Sequence, residues 1–232
     1  MIRQGAIIAA GEGSRLRRDG LAMPKPMVPV AGIPLVEHTV RNFLAAGIRS
    51  LFVIVNEEEN DCAEFLRSRF RESASVDVLV KTTPSSLVSF REVLARTGPG
   101  RTLVSTVDAF CPREDFVSFA EEAARMPEDA LVLGVTPFVD DEKPLWVGLG
   151  AGGRVLRVGG PAGDAVTAGL YLVPERVRSL TPDRELGRLR DFLGWLSDGR
   201  VEVFGVTIEK VIDVDRAADL AEAEALARKG TA

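Results

Sequence analysis

The chain has 232 residues, of which 46% are hydrophobic, so it can bury a substantial core within one domain. It carries 29 Lys and Arg against 34 Asp and Glu, a net charge of −5, which argues against a general nucleic-acid binder. We therefore expect a single domain over residues 1–232, in which any anion-binding site is a local arrangement of cationic and backbone groups.

The cysteine and hydropathy patterns exclude further classes of protein. Cys62 and Cys111 lie 49 positions apart, no CxxC occurs and the chain has one histidine, which argues against a zinc cluster or a disulfide framework. No apolar run approaches the roughly 18 to 20 residues that span a bilayer. The first apolar segment stops at Ala10 without the order of a signal peptide. These features predict a soluble, cytoplasmic protein with no membrane segment.

In the first half of the chain, short runs rich in Val, Ile and Leu alternate with amphipathic segments. The strand predictions are residues 5–10, 51–55, 76–80, 101–107 and 130–136. The helix predictions are residues 35–47, 60–70, 86–96 and 113–125. Strands that are apolar throughout and separated by helices indicate an α/β/α sandwich around a mixed, mainly parallel sheet.

From about residue 144 the pattern changes. Residues 145–160 and 165–174 predict strands joined by glycine turns. Two amphipathic helices follow, near residues 184–198 and 216–229, with a strand at 201–206 between them.

The first predicted strand ends in a glycine-rich loop, where Ala9 and Ala10 are followed by Gly11, Gly13 and Ser14. Ligands of open α/β sheets lie at the carboxyl ends of strands, and glycines let backbone N–H groups approach phosphate oxygens. Two common phosphate motifs do not match, because the third glycine of GxGxxG is replaced by leucine and no GK[ST] follows.

A stiff segment follows the loop, in which Pro24 and Pro26 flank Lys25. The prolines predict an extended backbone that aims one ammonium group at a fixed point. The alternative is an ordinary solvated lysine on a surface loop.

The residues "AAGEGSRL", a seven-residue spacer and "PKPMVPVAGIPLVEHTV" together resemble the nucleotidylyltransferase superfamily, whose sugar-phosphate members carry GxG[ST]RL followed by PKP. The similarity continues through "VDAF" at 107–110, "AGLYLVP" at 168–174 and "DVDRAADL" at 213–220. It implies a Rossmann-like, GT-A-like nucleotidyltransferase fold, with a nucleotide-binding half at 1–136 and an acceptor-binding, closing half at 137–232.

The resemblance also implies a reaction. An NTP would pass its nucleoside monophosphate to a small phosphorylated acceptor, with a sugar 1-phosphate as the leading candidate, and pyrophosphate would leave. Arg15 would contact the β- and γ-phosphates, which the loop amides from Gly11 to Ser14 cradle beside Ala9 and Ala10. Lys25 would lie across the α-phosphate and the incoming phosphate. For Arg17 and Arg18 we expect solvated charge at the loop edge.

Two aspartates are implied as ligands of Mg²⁺, which prefers hard oxygen donors. Asp108 follows the predicted strand at 101–107, and Asp215 aligns with the second metal-binding aspartate of the family. Asp213 is a substitute ligand. The alternative for Asp108 and Asp215 is capping, of a helix that starts near Pro112 and of the last helix.

Base and acceptor contacts are implied less directly. Ser85 and Ser86 stand where relatives contact the nucleobase, but their hydroxyls are equally suited to capping a helix. Thr167 and Gly169 would form part of the acceptor wall. The Glu-Lys pair that some sugar-phosphate relatives carry just before this strand is missing, which weighs against a hexose phosphate. Lys143, in an earlier Glu-Lys-Pro segment, is not assigned that role.

Other functions remain open at this point. The compact length and the "DVD" ending also resemble cytidylyltransferases that activate phosphocholine or inositol phosphate. The enzyme that attaches GMP to molybdopterin is a more distant resemblance, which the intact "PKPMVPV" block disfavours. A different class is a non-catalytic regulator that binds nucleotide through the loop.

Overall fold

A mixed β-sheet forms the centre of the computed structural model, which describes residues 2–11, 13–139 and 143–229. The strands in chain order are β1 Gln4–Ala9, β2 Pro29–Val30, β3 Ile33–Pro34, β4 Ser50–Val55, β5 Ser75–Val80, β6 Thr102–Thr106, β7 Ala109–Phe110, β8 Leu131–Thr136, β9 Trp146–Leu149, β10 Val155–Val158, β11 Ala165–Val173, β12 Val203–Thr207 and β13 Ile212–Asp213. The α-helices are α1 Ser14–Arg18, α2 Leu35–Ala45, α3 Asn60–Arg69, α4 Ser86–Ala95, α5 Arg113–Arg125, α6 Leu189–Ser197 and α7 Ala217–Lys229.

Nine of these strands, counted within the described residues, form one sheet in which β5, β4, β1 and β6 run parallel to one another. Ile7 at the centre of β1 pairs with Val53 on one side and Ser105 on the other. Strand β11 runs antiparallel to β6, β8 and β9, and β12 returns parallel to β8. The sheet confirms the predicted Rossmann-like α/β/α sandwich.

Helices cover both faces of the sheet, which explains why all six residues of β1 are buried. Because side chains alternate along a strand, Ile7 packs into one core with α2, α3, α5 and α7, whereas Ile8 packs into the other with α4 and α6. The two cores are centred on different aromatic pairs. Phe43 lies 5.0 Å from Phe116 in the first, and Phe90 lies 6.1 Å from Phe192 in the second.

The predicted helix over residues 184–198 was wrong at its start, because α6 begins only at Leu189. Gly187 disfavours helical extension toward the N-terminus. The first N–H of α6 is satisfied from outside the helix, since Leu189 N donates to Ser86 Oγ of α4 at 3.1 Å. Local periodicity does not reveal this bond between segments that are distant in the chain. Within the described part of the chain, none of the helices combines the length and the hydropathy that a bilayer crossing requires.

One carboxyl group is buried without a counter-charge in contact. Glu59 closes the 3₁₀ turn that links β4 to α3 and is only 5% exposed. Its Oε2 atom makes no hydrogen bond to the described residues. Burial raises the pKa of Glu59 from its usual 4.5 to about 7, which the charge of Arg17 only partly opposes.

Replacing this carboxyl group should make stability less sensitive to pH. Between about pH 4.5 and pH 7 the unfolded chain releases the Glu59 proton while the folded chain retains it, so folding loses free energy as the pH rises. We expect Glu59→Gln to exceed the wild type in stability by about 1–3 kcal/mol at pH 8 and by much less at pH 5. Urea unfolding at both pH values measures this difference.

The neighbouring Glu58 provides the control, because its side chain is 79% exposed. Glu58→Gln should shift stability little at either pH. An equal stability change for Glu59→Gln at pH 5 and pH 8 would contradict the assignment of a raised pKa.

Candidate active site

The glycine loop after β1 packs directly on the lysine segment. Gly13 adopts a left-handed conformation with φ of +58°, which L side chains rarely adopt. A Cβ atom on Gly13 would lie 2.9 Å from Cβ of Lys25, closer than real Cβ contacts allow. The two sequence motifs therefore form one structural unit, and Gly13 is required both by its backbone angle and by the contact with Lys25.

Two residues of the motifs lie outside the described residues. They are Glu12 in the glycine loop and Glu142 in the Glu-Lys-Pro segment.

Lys25 is buried, with 6% of its surface exposed, so the interpretation as a solvated surface lysine was wrong. The predicted extended backbone holds for Pro24 but not for Lys25, which begins a 3₁₀ turn that ends at Met27. Pro26 lies in the first turn. Its fixed φ is compatible with a helix there, and the N–H that proline lacks would have no acceptor within the helix at this position.

Two aspartates contact the ammonium group of Lys25. Its Nζ donates to Oδ2 of Asp108 at 2.8 Å and also to Oδ1 of Asp215. Burial alone would lower the pKa of Lys25, but the charges of Asp108, Asp215 and Asp213 outweigh it and hold the pKa above its usual value. Lys25 is therefore positively charged at physiological pH.

The pKa of Asp108 is shifted in the opposite direction. Burial tends to raise it, but the charge and hydrogen bond of Lys25, together with the Thr106 hydroxyl, hold the pKa of Asp108 below its usual value. Asp108 is therefore ionised, and the pair consists of a buried ammonium and a half-buried carboxylate.

A third carboxylate completes an acidic cluster of Asp108, Asp213 and Asp215. Carboxylate oxygens of these residues lie within 4.8 Å of one another. A small antiparallel pairing of β7 with β13 brings the segments together, and Val214 N donates to Asp108 O at 3.0 Å. The cluster thus combines a residue that follows β6 with two residues near the end of the described chain.

Neither of the two expected metal ligands caps a helix as the alternative interpretation proposed. Helix α5 starts after Pro112 without a side-chain cap, so Asp108 does not fill that role. Asp215 directs its carboxylate to Lys25 and Arg15. The N–H groups at the start of α7 are bound instead by Asp219 and Asp19.

Among the three arginines of the loop region, Arg15 faces the acidic cluster. Its Nη1 donates to Oδ2 of Asp215. Arg17 lies 3.8 Å from the exposed carboxylate of Glu58, and Arg18 Nε donates to the backbone oxygen of Ser14 at 3.3 Å. The cluster therefore places three negative charges beside the positive charges of Arg15 and Lys25.

A cleft of about 550 Å³ opens beside the cluster. Its lining includes Arg15, the three carboxylates, and Thr167 and Gly169 of β11. Further lining residues are Ser86, Thr106, Thr136, Leu145, Val166, Tyr171 and Arg190. Both predicted acceptor-wall residues thus line the same cleft as Arg15 and the two predicted metal ligands, whereas Lys25 and the described residues of the glycine loop are not among its lining residues.

Gly169 allows β11 to pass close to the end of β6. It has φ of +70°, and a Cβ atom there would lie 2.6 Å from Oγ1 of Thr106 and 2.7 Å from Cβ of Ala109. A side chain at this position would displace the strand end that carries Asp108. The glycine therefore lets β11 lie directly against the turn that carries Asp108.

The two serines have different roles in the fold. Ser85 caps α4, where its hydroxyl accepts from Val88 N at 3.3 Å, which is the capping alternative. Ser86 Oγ accepts from Leu189 N and lines the cleft. A nucleobase contact by Ser85 or Ser86 stays a prediction.

Two residues predicted to contact the phosphates differ in exposure. Ala9 is buried at the end of β1, and Gly11 of the glycine loop is exposed.

Several cleft residues were missed from the sequence, among them the polar residues Tyr171, Thr106 and Arg190. Tyr171 lies in the quoted "AGLYLVP" segment; burial and the charge of Asp108 raise the pKa of its buried phenol above the usual value, so it is uncharged. Thr106 lies two positions before Asp108, where its hydroxyl had no sequence signal. Arg190 lies on α6 and donates to Lys143 O at 2.6 Å, a placement that depends on the unpredicted start of that helix.

Comparison with known protein families identifies the family of this chain. The family model described as a MobA-like NTP transferase domain matches residues 5–173, which is more than half of the chain.

The chain belongs to the MobA-like NTP transferase domain family.

This membership confirms the resemblance to the nucleotidylyltransferase superfamily. The match covers the glycine loop, Lys25, Asp108 and the Gly169 strand of this NTP transferase domain, and it ends before Asp213 and Asp215. Two of the three residues of the acidic cluster therefore lie outside the matched region.

Two curated proteins that are similar to this chain have names that describe transferases or synthases. A bifunctional IPC transferase and DIPP synthase from Rubrobacter xylanophilus is 29% identical over 93% of this chain and 50% of its own length. A mannose-1-phosphate guanyltransferase from Gibberella zeae is 30% identical over 50% of this chain and 34% of its own length. The chain thus spans half the length or less of these curated relatives.

A solved structure has the same fold over nearly the whole NTP transferase domain. It is the inositol-1-phosphate CTP transferase from T. maritima, with a TM-score of 0.84 and 22% identity, and the similarity covers 99% of this chain and 96% of that one.

The contact between Gly13 and Lys25 yields a direct test. Gly13→Ala should lower the free energy of unfolding by about 1–3 kcal/mol, because alanine is strained at this φ and its Cβ overlaps the Lys25 side chain. Chemical unfolding measures the change. Gly11→Ala is the matched control, since a Cβ there meets no atom within 4 Å, and we expect little loss of stability. Equal losses in both variants would show that the contact has no special weight.

Proposed function

We propose that this chain transfers the nucleoside monophosphate of an NTP to the phosphate of a small phosphorylated acceptor. The family membership supports the NTP transferase part of this proposal. The observation that carries the rest is that Lys25 and Arg15 both contact an acidic cluster whose three carboxylates line one cleft together with Arg15. A cytoplasmic location, expected from the sequence, belongs to the same proposal.

The reaction forms one bond and breaks another at the α-phosphorus. An oxygen of the acceptor phosphate attacks, the bond from the α-phosphorus to the bridging oxygen of the β-phosphate breaks, and pyrophosphate leaves with that electron pair. The attacking phosphate is ionised at neutral pH, so no side chain needs to remove a proton. The single histidine agrees with this, because His38 Nε2 is hydrogen-bonded to Val30 O at 2.9 Å and its ring packs on Phe110.

Catalysis by this chain would then depend on alignment and on charge stabilisation. Lys25 is suited to stabilise charge that develops at the α-phosphate, because it is buried, permanently charged and fixed by the contact with Gly13. Arg15 lies at the cleft, where it would stabilise the leaving pyrophosphate. The N–H groups of the loop from Gly11 to Ser14 would bind the same phosphates.

The acidic cluster fits Mg²⁺. The chemistry of the donor set is that of a hard cation, since three carboxylates bring oxygens within 4.8 Å of one another. Asp108 and Asp215 would hold the ion, with Asp213 as a further ligand. When bound, Mg²⁺ would neutralise charge on the phosphate oxygens. Lys25 and Arg15 would at the same time exchange their carboxylate partners for phosphate oxygens of the substrate.

For the acceptor, a sugar 1-phosphate is the leading class, in agreement with the name of the mannose-1-phosphate relative. Inositol phosphate with CTP is the second candidate, because the similar T. maritima structure with that named activity covers 99% of this chain. Thr167 and Gly169 would contact the acceptor, and Ser85 or Ser86 the nucleobase.

Measuring pyrophosphate release tests the proposal. Each of the four NTPs is incubated with sugar 1-phosphates, inositol 1-phosphate and phosphocholine, with Mg²⁺ and with EDTA. We expect turnover for one acceptor class, and only with the metal. Nucleotide binding without turnover for any pair would instead support the non-catalytic regulator. Turnover in EDTA would contradict the metal site alone.

The arginines provide a matched pair of variants. We expect Arg15→Gln to lower kcat by about two to four powers of ten, because it removes a charge that stabilises the leaving group. Arg18→Gln should keep kcat within about twofold of the wild type. Arg18 is not among the residues that line the cleft, and its Nε donates to the backbone oxygen of Ser14. Steady-state kinetics with the best pair from the panel measures both, and similar losses would remove Arg15 from its proposed role.

A further inference from the structure

The short connection between β13 and α7 carries Asp215, so its backbone determines where this carboxylate points. Val214 N donates to Asp108 O at 3.0 Å, and Asp215 N donates to Asp213 O at 3.0 Å. Asp215 N has a second acceptor, and the N–H groups that follow it belong to the start of a helix, where backbone donors lack partners within the helix and need other acceptors.

Asp219 provides that acceptor with a single oxygen atom. Its Oδ2 accepts from Asp215 N at 2.8 Å and from Arg216 N at 2.7 Å. Both distances fall in the range of charge-assisted hydrogen bonds, which are about twice as strong as neutral ones. One carboxylate oxygen thus fixes the orientation of two successive peptide groups, one of them that of Asp215 itself.

We infer that Asp219 is a positioning residue, which holds Asp215 in the orientation that metal binding requires. This inference rests on the proposed function. It goes beyond helix capping, because an ordinary cap binds helical N–H groups, whereas Asp219 also binds the N–H of the residue whose side chain belongs to the acidic cluster. Loss of a partner that orients a metal ligand typically lowers metal affinity about 10- to 100-fold.

The chain contains a natural control for capping alone. Asp19, in the loop after α1, accepts from Ala217 N at 3.0 Å. It therefore supports the same helix start as Asp219, and among the described hydrogen bonds of its carboxylate none reaches Asp215. A variant of Asp19 should weaken the helix end without displacing the metal ligand.

The test compares metal affinity with stability in Asp219→Ala, Asp219→Asn, Asp219→Ser and Asp19→Ala. Mn²⁺ is the probe, in the presence of the NTP that the wild type binds most tightly, and water-proton relaxation reports the bound ion. We expect Asp219→Ala to bind Mn²⁺ about 10- to 100-fold more weakly. Asp219→Asn should recover most of the affinity, because its amide oxygen still accepts, and Asp19→Ala should stay within about twofold of the wild type. Both alanine variants should lower the melting temperature by a similar few degrees.

The outcomes separate the two levels of the proposal. Wild-type affinity in Asp219→Ala, together with a melting temperature lowered as in Asp19→Ala, would overturn the positioning role and leave a simple cap. If Asp219→Ala does not fold, Asp219→Ser decides: its shorter side chain cannot reach both N–H groups, so unchanged Mn²⁺ affinity would overturn the inference. No relaxation change in the wild type would overturn the metal site of the proposed function. The variant Asp108→Asn shows how far Mn²⁺ affinity falls when a ligand itself is lost.

Discussion

The contact of the buried Lys25 ammonium with the carboxylates of Asp108 and Asp215 is the constraint on which the site depends. The Lys25 side chain is 6% exposed, and a charge buried to this degree is stable only with a counter-charge in contact. The three residues belong to the loop region after β1, the end of β6 and the segment after β13. The charged site therefore assembles only when these three segments of the chain pack together.

The parallel part of the sheet explains why these charges meet at this edge. Strands β1 and β6 are neighbours, so the loop that follows β1 and the turn that carries Asp108 emerge side by side. The pairing of β7 with β13 then adds Asp213 and Asp215 from the far end of the described chain. Gly169 allows β11 to pass close beside Asp108, because it leaves room for Thr106 and Ala109. Each contact is short-range, although the residues are distant in sequence.

Much of the fold follows from the sequence because the central strands are buried on both faces. Continuous apolar runs such as β1 and β4 have no other stable environment, and their predicted bounds agree closely with the observed ones. The start of α6 does not follow, because a serine of another helix satisfies its first N–H. The two-residue strands β7 and β13 are too short to give any periodicity. The same limit applies to the site: Arg15, Lys25 and Asp108 stand in recognisable motifs, whereas the position of Arg190 depends on long-range packing. The hydrogen bonds of Asp219 are local in the chain, but they gain a role in the site only because Asp215 contacts the distant Lys25.

The late position of Asp215 in the chain has a consequence for synthesis. A nascent chain that ends before β13 already contains the glycine loop, Lys25 and Asp108, but it lacks one of the two carboxylates that contact the ammonium and all of α7. Its cationic side chains have fewer counter-charges than in the finished protein, and the acidic cluster is limited to one member. The order in which the residues are made thus delays the assembly of the charged site until almost the whole described chain has left the ribosome.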